Sequence, residues 1–287
     1  MHAKSLHARS LHARSRLAAV AAATLLTVAA ARAQDMSKFP DWSGQWRRPA
    51  GLAPSWDPTK PPGLGQQAPL TPEYQAIFEA TLKDRAIGGL SGDPTGLCLP
   101  HGLPRMMVAI FPVEFVVTPK ITYYMTDYTT SRRIFTDGRD WPKDLPLSFN
   151  GYSIGKWSDT DGDGRYDLLE VETRGFKSPR TFEGSGLPLH RDGESVIKER
   201  IYLDKANGNL LHDEVTVIDH ALTRPWTVTR HYQREPGGEW DFVDCAENNP
   251  HVVIGDETYM MSADGFLMPT KTDQPPPDLR YFNKKKK

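Results

Sequence analysis

Nine consecutive residues carry the clearest chemistry in the chain: Asp159-Thr160-Asp161-Gly162-Asp163-Gly164-Arg165-Tyr166-Asp167. Aspartates alternate with other residues, so Asp159, Asp161 and Asp163 can face one centre. Gly164 permits a sharp turn, the Arg165 main-chain carbonyl can point inward, and Asp167 closes the far side. Hard cations such as Ca²⁺ take six to eight oxygens from a flexible loop. Four carboxylates this close repel one another unless a cation sits among them. Calcium is the cofactor this spacing points to; the bland alternative is a solvated hairpin turn. Glu170 falls at the twelfth position of the EF-hand loop pattern, where the last ligand would stand. The flanks are not helical, however: Gly155 interrupts the run before the loop, and residues 168–173 alternate as a strand does.

Glu199 is a second candidate. Ile197, Ile201 and Leu203 share its face of a strand-like run, and a carboxylate on an apolar face has a raised pKa and can act as a general base. The alternative is an ion pair with Arg132 or Arg230 on a neighbouring strand. Asp127 repeats the theme, following Ile121, Tyr123 and Met125 on one face. Arg132 and His190 are the groups that could assist such a base. The histidines show no HExxH spacing for zinc.

The elements around these residues read as mainly β. Residues 113–118, 121–128, 132–136, 152–158, 166–173, 195–204, 210–219, 226–235 and 239–245 are β-branched or aromatic runs. Asp137-Gly138, Asn207-Gly208 and Gly237-Gly238 are hairpin signals. One helix is expected early: Thr71 caps it, Pro72 takes its first position, Ile77 and Leu82 share a face, and Gly88-Gly89 end it. An antiparallel meander closing into a lipocalin-like barrel would remove the sheet edges. Tyr123, Tyr124, Tyr128, Trp157, Phe176, Trp226 and Tyr232 lie on or beside strands, so the barrel could be lined for a small apolar or aromatic partner.

Composition bounds the rest. A basic start, an apolar run over residues 17–31 and Ala31-Arg32-Ala33 make a secretory signal peptide over residues 1–33. The apolar run is too short for a comfortable span, so no integral membrane segment is expected after cleavage. Residues 1–33 hold five of the 35 Lys/Arg and no acid, which leaves 30 bases against 36 acids. That balance argues against a nucleic-acid partner. Residues 34–70, rich in Pro and Trp, read as extended surface chain with indole anchors; residues 71–250 hold the barrel; residues 251–287 form a strap and a basic tail. Periplasmic or secreted localisation favours a disulfide between the only two cysteines, Cys98 and Cys245. The alternative is a Cys98 nucleophile near His101.

Two resemblances add to this. The acidic loop looks like the strand-loop-strand calcium loops of integrin-type β-propeller blades, where the fourth aspartate, here Asp167, is the last side-chain ligand instead of Glu170. Those proteins repeat the loop in every blade; here it occurs once, so no propeller is implied. Further runs carry the second likeness: Asp93-Pro94-Thr95 with Cys98-Leu99-Pro100, Pro104-Arg105-Met106-Met107, Arg132-Arg133-Ile134-Phe135-Thr136-Asp137-Gly138-Arg139, Ser153-Ile154-Gly155, Thr223-Arg224-Pro225-Trp226 and Glu247-Asn248-Asn249. They resemble a family of secreted bacterial β-rich proteins of uncharacterised activity. That resemblance implies secretion, a β-rich fold and the Cys98–Cys245 pair. Common members have a shorter turn at the acidic loop.

Three functions are compatible with these residues. One is a secreted binding protein for a small apolar or aromatic molecule, braced by calcium. Another is a cofactor-independent lyase, isomerase or hydrolase with Glu199 as base. The third is a calcium-stabilised surface or matrix protein.

Overall fold

The computed structural model describes residues 35–90, 94–126, 131–181, 185–239 and 244–280. The expected signal peptide over residues 1–33, Asp127, Tyr128, most of the 239–245 run and the basic tail lie outside them. Asp35 to Lys38 contribute one 3-10 turn (Met36–Lys38). From Phe39 onward the described residues form one compact unit.

That unit is built on a closed nine-stranded barrel. Its staves are β1 (Gln45–Arg47), β2 (Val113–Val117), β3 (Ile121–Thr126), β4 (Arg132–Phe135), β5 (Tyr152–Ser158), β6 (Leu168–Arg174), β9 (Val196–Leu203), β10 (Leu210–Ile218) and β11 (Trp226–Glu235). Between β6 and β9, β7 (Arg180–Thr181) and β8 (Pro188–Leu189) pair outside the barrel. Eight of the nine expected strands are present, most within two residues of their expected ends; the run over residues 239–245 lies mostly outside the described residues, and Cys245 opens a 3-10 turn (Cys245–Asn248) instead. Alternation explains them: every second side chain is buried along β9, β10 and β11.

Two features depart from a plain meander. β4 and β5 run parallel, with Ile134 opposite Ser153, so the connection over residues 136–151 must cross over, as parallel pairing requires. β1 comes from the Pro/Trp-rich segment, pairs antiparallel with both β11 and β2, and closes the barrel. The expected surface segment therefore supplies a stave. Its indoles do anchor it: Trp42, Trp46 and Trp56 are all buried.

The helix α1 (Pro72–Ala86) starts as expected, with the Thr71 hydroxyl accepting from the Tyr74 amide. Its buried face differs. Tyr74, Phe78 and Thr81 point inward at i, i+4 and i+7, while Ile77 is exposed. The tail is more than a strap. β12 (His251–Ile254), β13 (Glu257–Met261) and β14 (Leu267–Pro269) form a second antiparallel sheet. Lys271 ties it to α1 through Asp84 at 3.0 Å and Glu257 at 3.2 Å. Cys98 and Cys245 form a disulfide, Cα atoms 5.5 Å apart, across 147 residues of chain. Closing so long a loop is worth up to about 5 kcal/mol in the chain-entropy model.

The lumen is occupied by the protein itself. Residues 101–109 are buried throughout, and Arg105–Val108 make a 3-10 turn there. Inward side chains hold this plug by its carbonyls. Tyr124 donates to Met106 O at 2.9 Å, Tyr232 to Met107 O at 2.7 Å, and Arg230 to Val108 O at 3.2 Å. Arg230 also donates to the carbonyls of Ser55 and Trp56, so one guanidinium fastens the plug, β11 and the Pro/Trp segment together.

Candidate functional site

The acidic stretch is the tip of the β5–β6 hairpin, closed by Ser158 opposite Leu168. Its own backbone donors organise it. Asp159 accepts from the amides of Gly162 (2.7 Å) and Gly164 (2.9 Å), and Asp163 accepts from Arg165 N at 2.8 Å. Gly162 (φ +78°) and Gly164 (φ +88°) occupy the left-handed region, where a glycine is least strained. Asp159, Asp161 and Asp163 each offer one carboxylate oxygen, and the three lie within 4.8 Å of one another, exposed to solvent. An all-oxygen set of this kind suits a hard cation.

Asp167 and Glu170 stand apart from that trio. Asp167 accepts from Thr160 N at 2.8 Å and from the Thr160 hydroxyl. Burial raises its pKa, but these bonds outweigh burial and hold it below the usual range. Glu170 lies on β6, opposite Lys156 and Arg200 on the outer face of the sheet.

Beside the tip opens a cleft of about 990 Å³, between the hairpin tip, the β9–β10 turn and the segment around Asp41. Tyr166, Leu168, Tyr202 and Leu203 give it apolar surface, and Arg234 and Lys205 give it positive charge. The cleft walls are braced. Tyr202 donates to Glu214 at 2.9 Å, and the Arg234 guanidinium lies 4.4 Å over the Trp46 ring while donating to Asp41 O at 2.7 Å. Lys205 reaches Asp161 at 3.4 Å.

Glu199 and Arg132 do meet, in the lumen. Arg132 donates from one terminal nitrogen to Oε1 at 2.8 Å and from the other to Oε2, so the pair is bidentate. Its remaining donors reach Ser153 (3.0 Å) and Thr173 (2.9 Å). Neither side chain has more than 1 % of its surface accessible. Burial works against the Arg132 charge, and Glu199 more than restores it, raising its pKa. Of the two arginines the strand pattern offered, Arg132 is the partner. Glu199 thus has each carboxylate oxygen on the guanidinium and a side chain sealed from solvent, the ion-pair alternative that its strand pattern offered. His190 lies in the β8–β9 loop, and its amide donates to Asp219 of the β10–β11 turn at 3.0 Å. Asp127 lies outside the described residues.

Comparisons with family models, curated proteins and solved structures find no match. No helix among the described residues is long and apolar enough to cross a membrane.

Sequence reasoning missed three groups. Asp213 faces the lumen beside Arg230, its partner in register, and is fully buried. Among the described residues neither of its oxygens has a hydrogen-bond partner. Burial and the Glu199 charge push its pKa well above normal, against the pull of Arg132 and Arg230. The signal was there: Leu211, Asp213, Val215 and Val217 alternate as the Glu199 strand does. Gly151-Tyr152-Ser153-Ile154-Gly155 has the G-x-S-x-G spacing of a hydrolase elbow. Ser153, however, lies inside β5, buried, and shares its hydroxyl with Arg132 and Thr173, so it has the motif without the exposed strand-to-helix turn. The third group, around His220, is taken up below.

Proposed function

We propose that this barrel is a scaffold for binding: a periplasmic or secreted protein that takes Ca²⁺ at Asp159, Asp161 and Asp163 and a small apolar or aromatic molecule in the adjoining cleft. One contrast supports the reading. The lumen holds a plug and a sealed ion pair, whereas the open volume with aromatic walls lies against Asp161 and Asp163, two of the three converging carboxylates. Calcium at the tip would neutralise the carboxylates and stiffen that wall of the cleft. The filled lumen also favours a second reading, a calcium-stabilised surface protein without a small ligand.

Calorimetry on the full chain tests both. Calcium should bind the wild type and not Asp161→Ala/Asp163→Ala; equal heats from the two proteins remove the cation site. Anilinonaphthalene sulfonate, an aromatic probe, should gain fluorescence with the wild type and less with Tyr202→Ala. Calcium binding with no probe response supports the second reading.

A further inference from the structure

The β5–β6 and β9–β10 turns share one end of the barrel, because Leu168 pairs with Tyr202. The antiparallel register then puts the entry to β9 and the β10–β11 turn at the other end. There, His190 and Asp192 from the first loop meet His220 from the second. We infer that His190, Asp192 and His220 form a binding site for a divalent transition metal ion of the zinc class, with an open coordination position facing solvent.

The convergence is specific. His190 Nδ1 lies 2.9 Å from Asp192 Oδ2, and His220 Nδ1 lies 2.5 Å from that same oxygen. All three ligand atoms fall within 4.8 Å of one another. The rings stand nearly perpendicular, centroids 5.9 Å apart, so both nitrogens address one point. Zinc holds nitrogen and oxygen at roughly 2.0–2.2 Å, which sets tetrahedral ligands about 3.3 Å apart. Less than an ångström of opening would admit an ion. His220 can supply it, because its side chain is 66 % accessible.

Surrounding bonds aim these ligands. The other Asp192 oxygen accepts from Glu194 N at 3.0 Å, leaving Oδ2 for the imidazoles. Asp219 lies behind the cluster and joins its two loops: it accepts from His190 N at 3.0 Å, from Ala221 N at 2.7 Å and from the Ser195 hydroxyl. Tyr74 packs on the His190 ring at 5.4 Å and accepts from Arg191 N at 3.3 Å. Such outer contacts orient metal ligands.

Hydrogen bonding alone serves His190 poorly. Its Nδ1 also lies 3.2 Å from the Asp192 main-chain N–H, which needs a lone pair on that nitrogen. The carboxylate oxygen on the other side needs a proton there. One nitrogen cannot offer both; a cation between Nδ1 and Oδ2 would take that lone pair, make co-ligands of the two atoms and release the longer contact to the Asp192 N–H. Another histidine pair among the described residues supplies the contrast. His212 turns Nδ1 to His231 at 2.8 Å and Nε2 to Asp204 at 3.1 Å. Those partners sit on opposite edges of one ring and share no centre. Two imidazoles with one carboxylate suit Zn²⁺, Co²⁺, Ni²⁺ or Cu²⁺, whereas the all-oxygen tip suits Ca²⁺.

The test is calorimetric titration of Zn²⁺ into the full chain, made without a histidine tag, stripped with chelator and held in excess Ca²⁺. One Zn²⁺ per chain is expected. His220→Gln and Asp192→Asn should each weaken it by about tenfold or more, while His212→Gln and Asp161→Ala/Asp163→Ala leave it unchanged. Because His220 is exposed, its variant should keep the wild-type circular dichroism. Co²⁺ gives a second readout on the wild type alone: binding should develop visible absorption from a site of low coordination number. No Zn²⁺ uptake by the wild type overturns the inference, as does wild-type affinity in both His220→Gln and Asp192→Asn.

Discussion

The lumen and the acidic tip hold the same chemical group in opposite surroundings. Inside, Glu199 is clamped by Arg132 and Asp213 is sealed beside Arg230. At the tip, Asp159, Asp161 and Asp163 face water with their oxygens gathered. A buried carboxylate must be paired or neutral, because taking an ion out of water costs several kcal/mol. An exposed one carries no such cost and keeps lone pairs for a ligand. The interior groups therefore lie where they hold the barrel and its plug, and the rim carboxylates are the ones free to act in the binding role proposed above.

The largest expected effect lies inside. Glu199→Ala leaves the Arg132 charge buried and unpaired, and should lose about 3–5 kcal/mol in urea unfolding. Replacing both partners, Arg132→Met with Glu199→Leu, should recover most of that loss. A loss below about 1 kcal/mol for Glu199→Ala would mean that water reaches the pair, and the contrast between lumen and rim would fail.

Asp213 gives a smaller, pH-dependent effect. Folding raises its pKa, so the folded chain keeps a proton that the unfolded chain releases. Its contribution is whole below the unfolded value, about 3.9, and is lost as pH rises toward the raised value. Asp213→Asn should remove that loss. Relative to wild type, the variant should gain roughly 1.4 kcal/mol per pH unit across that window, starting near pH 4. A difference that does not change with pH would place the carboxyl in contact with solvent.

The smallest effect should come from the tip. Without calcium, Asp161→Ala/Asp163→Ala should change stability by no more than about 0.5 kcal/mol, as for other surface positions. At a calcium concentration 100-fold above Kd, the wild type should gain about 2.7 kcal/mol and the variant none. Thermal unfolding with and without calcium reads both numbers.

Much of the barrel was legible because strands announce themselves by alternation. Residues 195–204, 210–219 and 226–235 match β9, β10 and β11 closely. The single helix is marked by Thr71 and Pro72, yet the face it buries carries Tyr74 and Phe78 while Ile77 is exposed. Three features left no periodic trace. β1 is three residues long among prolines, the plug over residues 101–109 has no repeating pattern, and the parallel step from β4 to β5 is set by a crossover that propensity does not record. For the candidate site, spacing along the chain marked the acidic tip, because Asp159, Asp161 and Asp163 lie in one loop. It could not mark His190, Asp192 and His220, which two loops bring together only after β9, β10 and β11 have paired. The Glu199 face was readable, but which arginine it meets depends on the closure of the barrel.

Backbone amide NMR during a calcium titration tests the central claim most directly. Shifts should move over residues 159–167 and across the cleft at residues 202–209, while the amides of Arg132, Glu199 and Asp213 stay in place. Movement centred on those three lumen residues, or no movement at the tip, would contradict the assignment of binding to the rim.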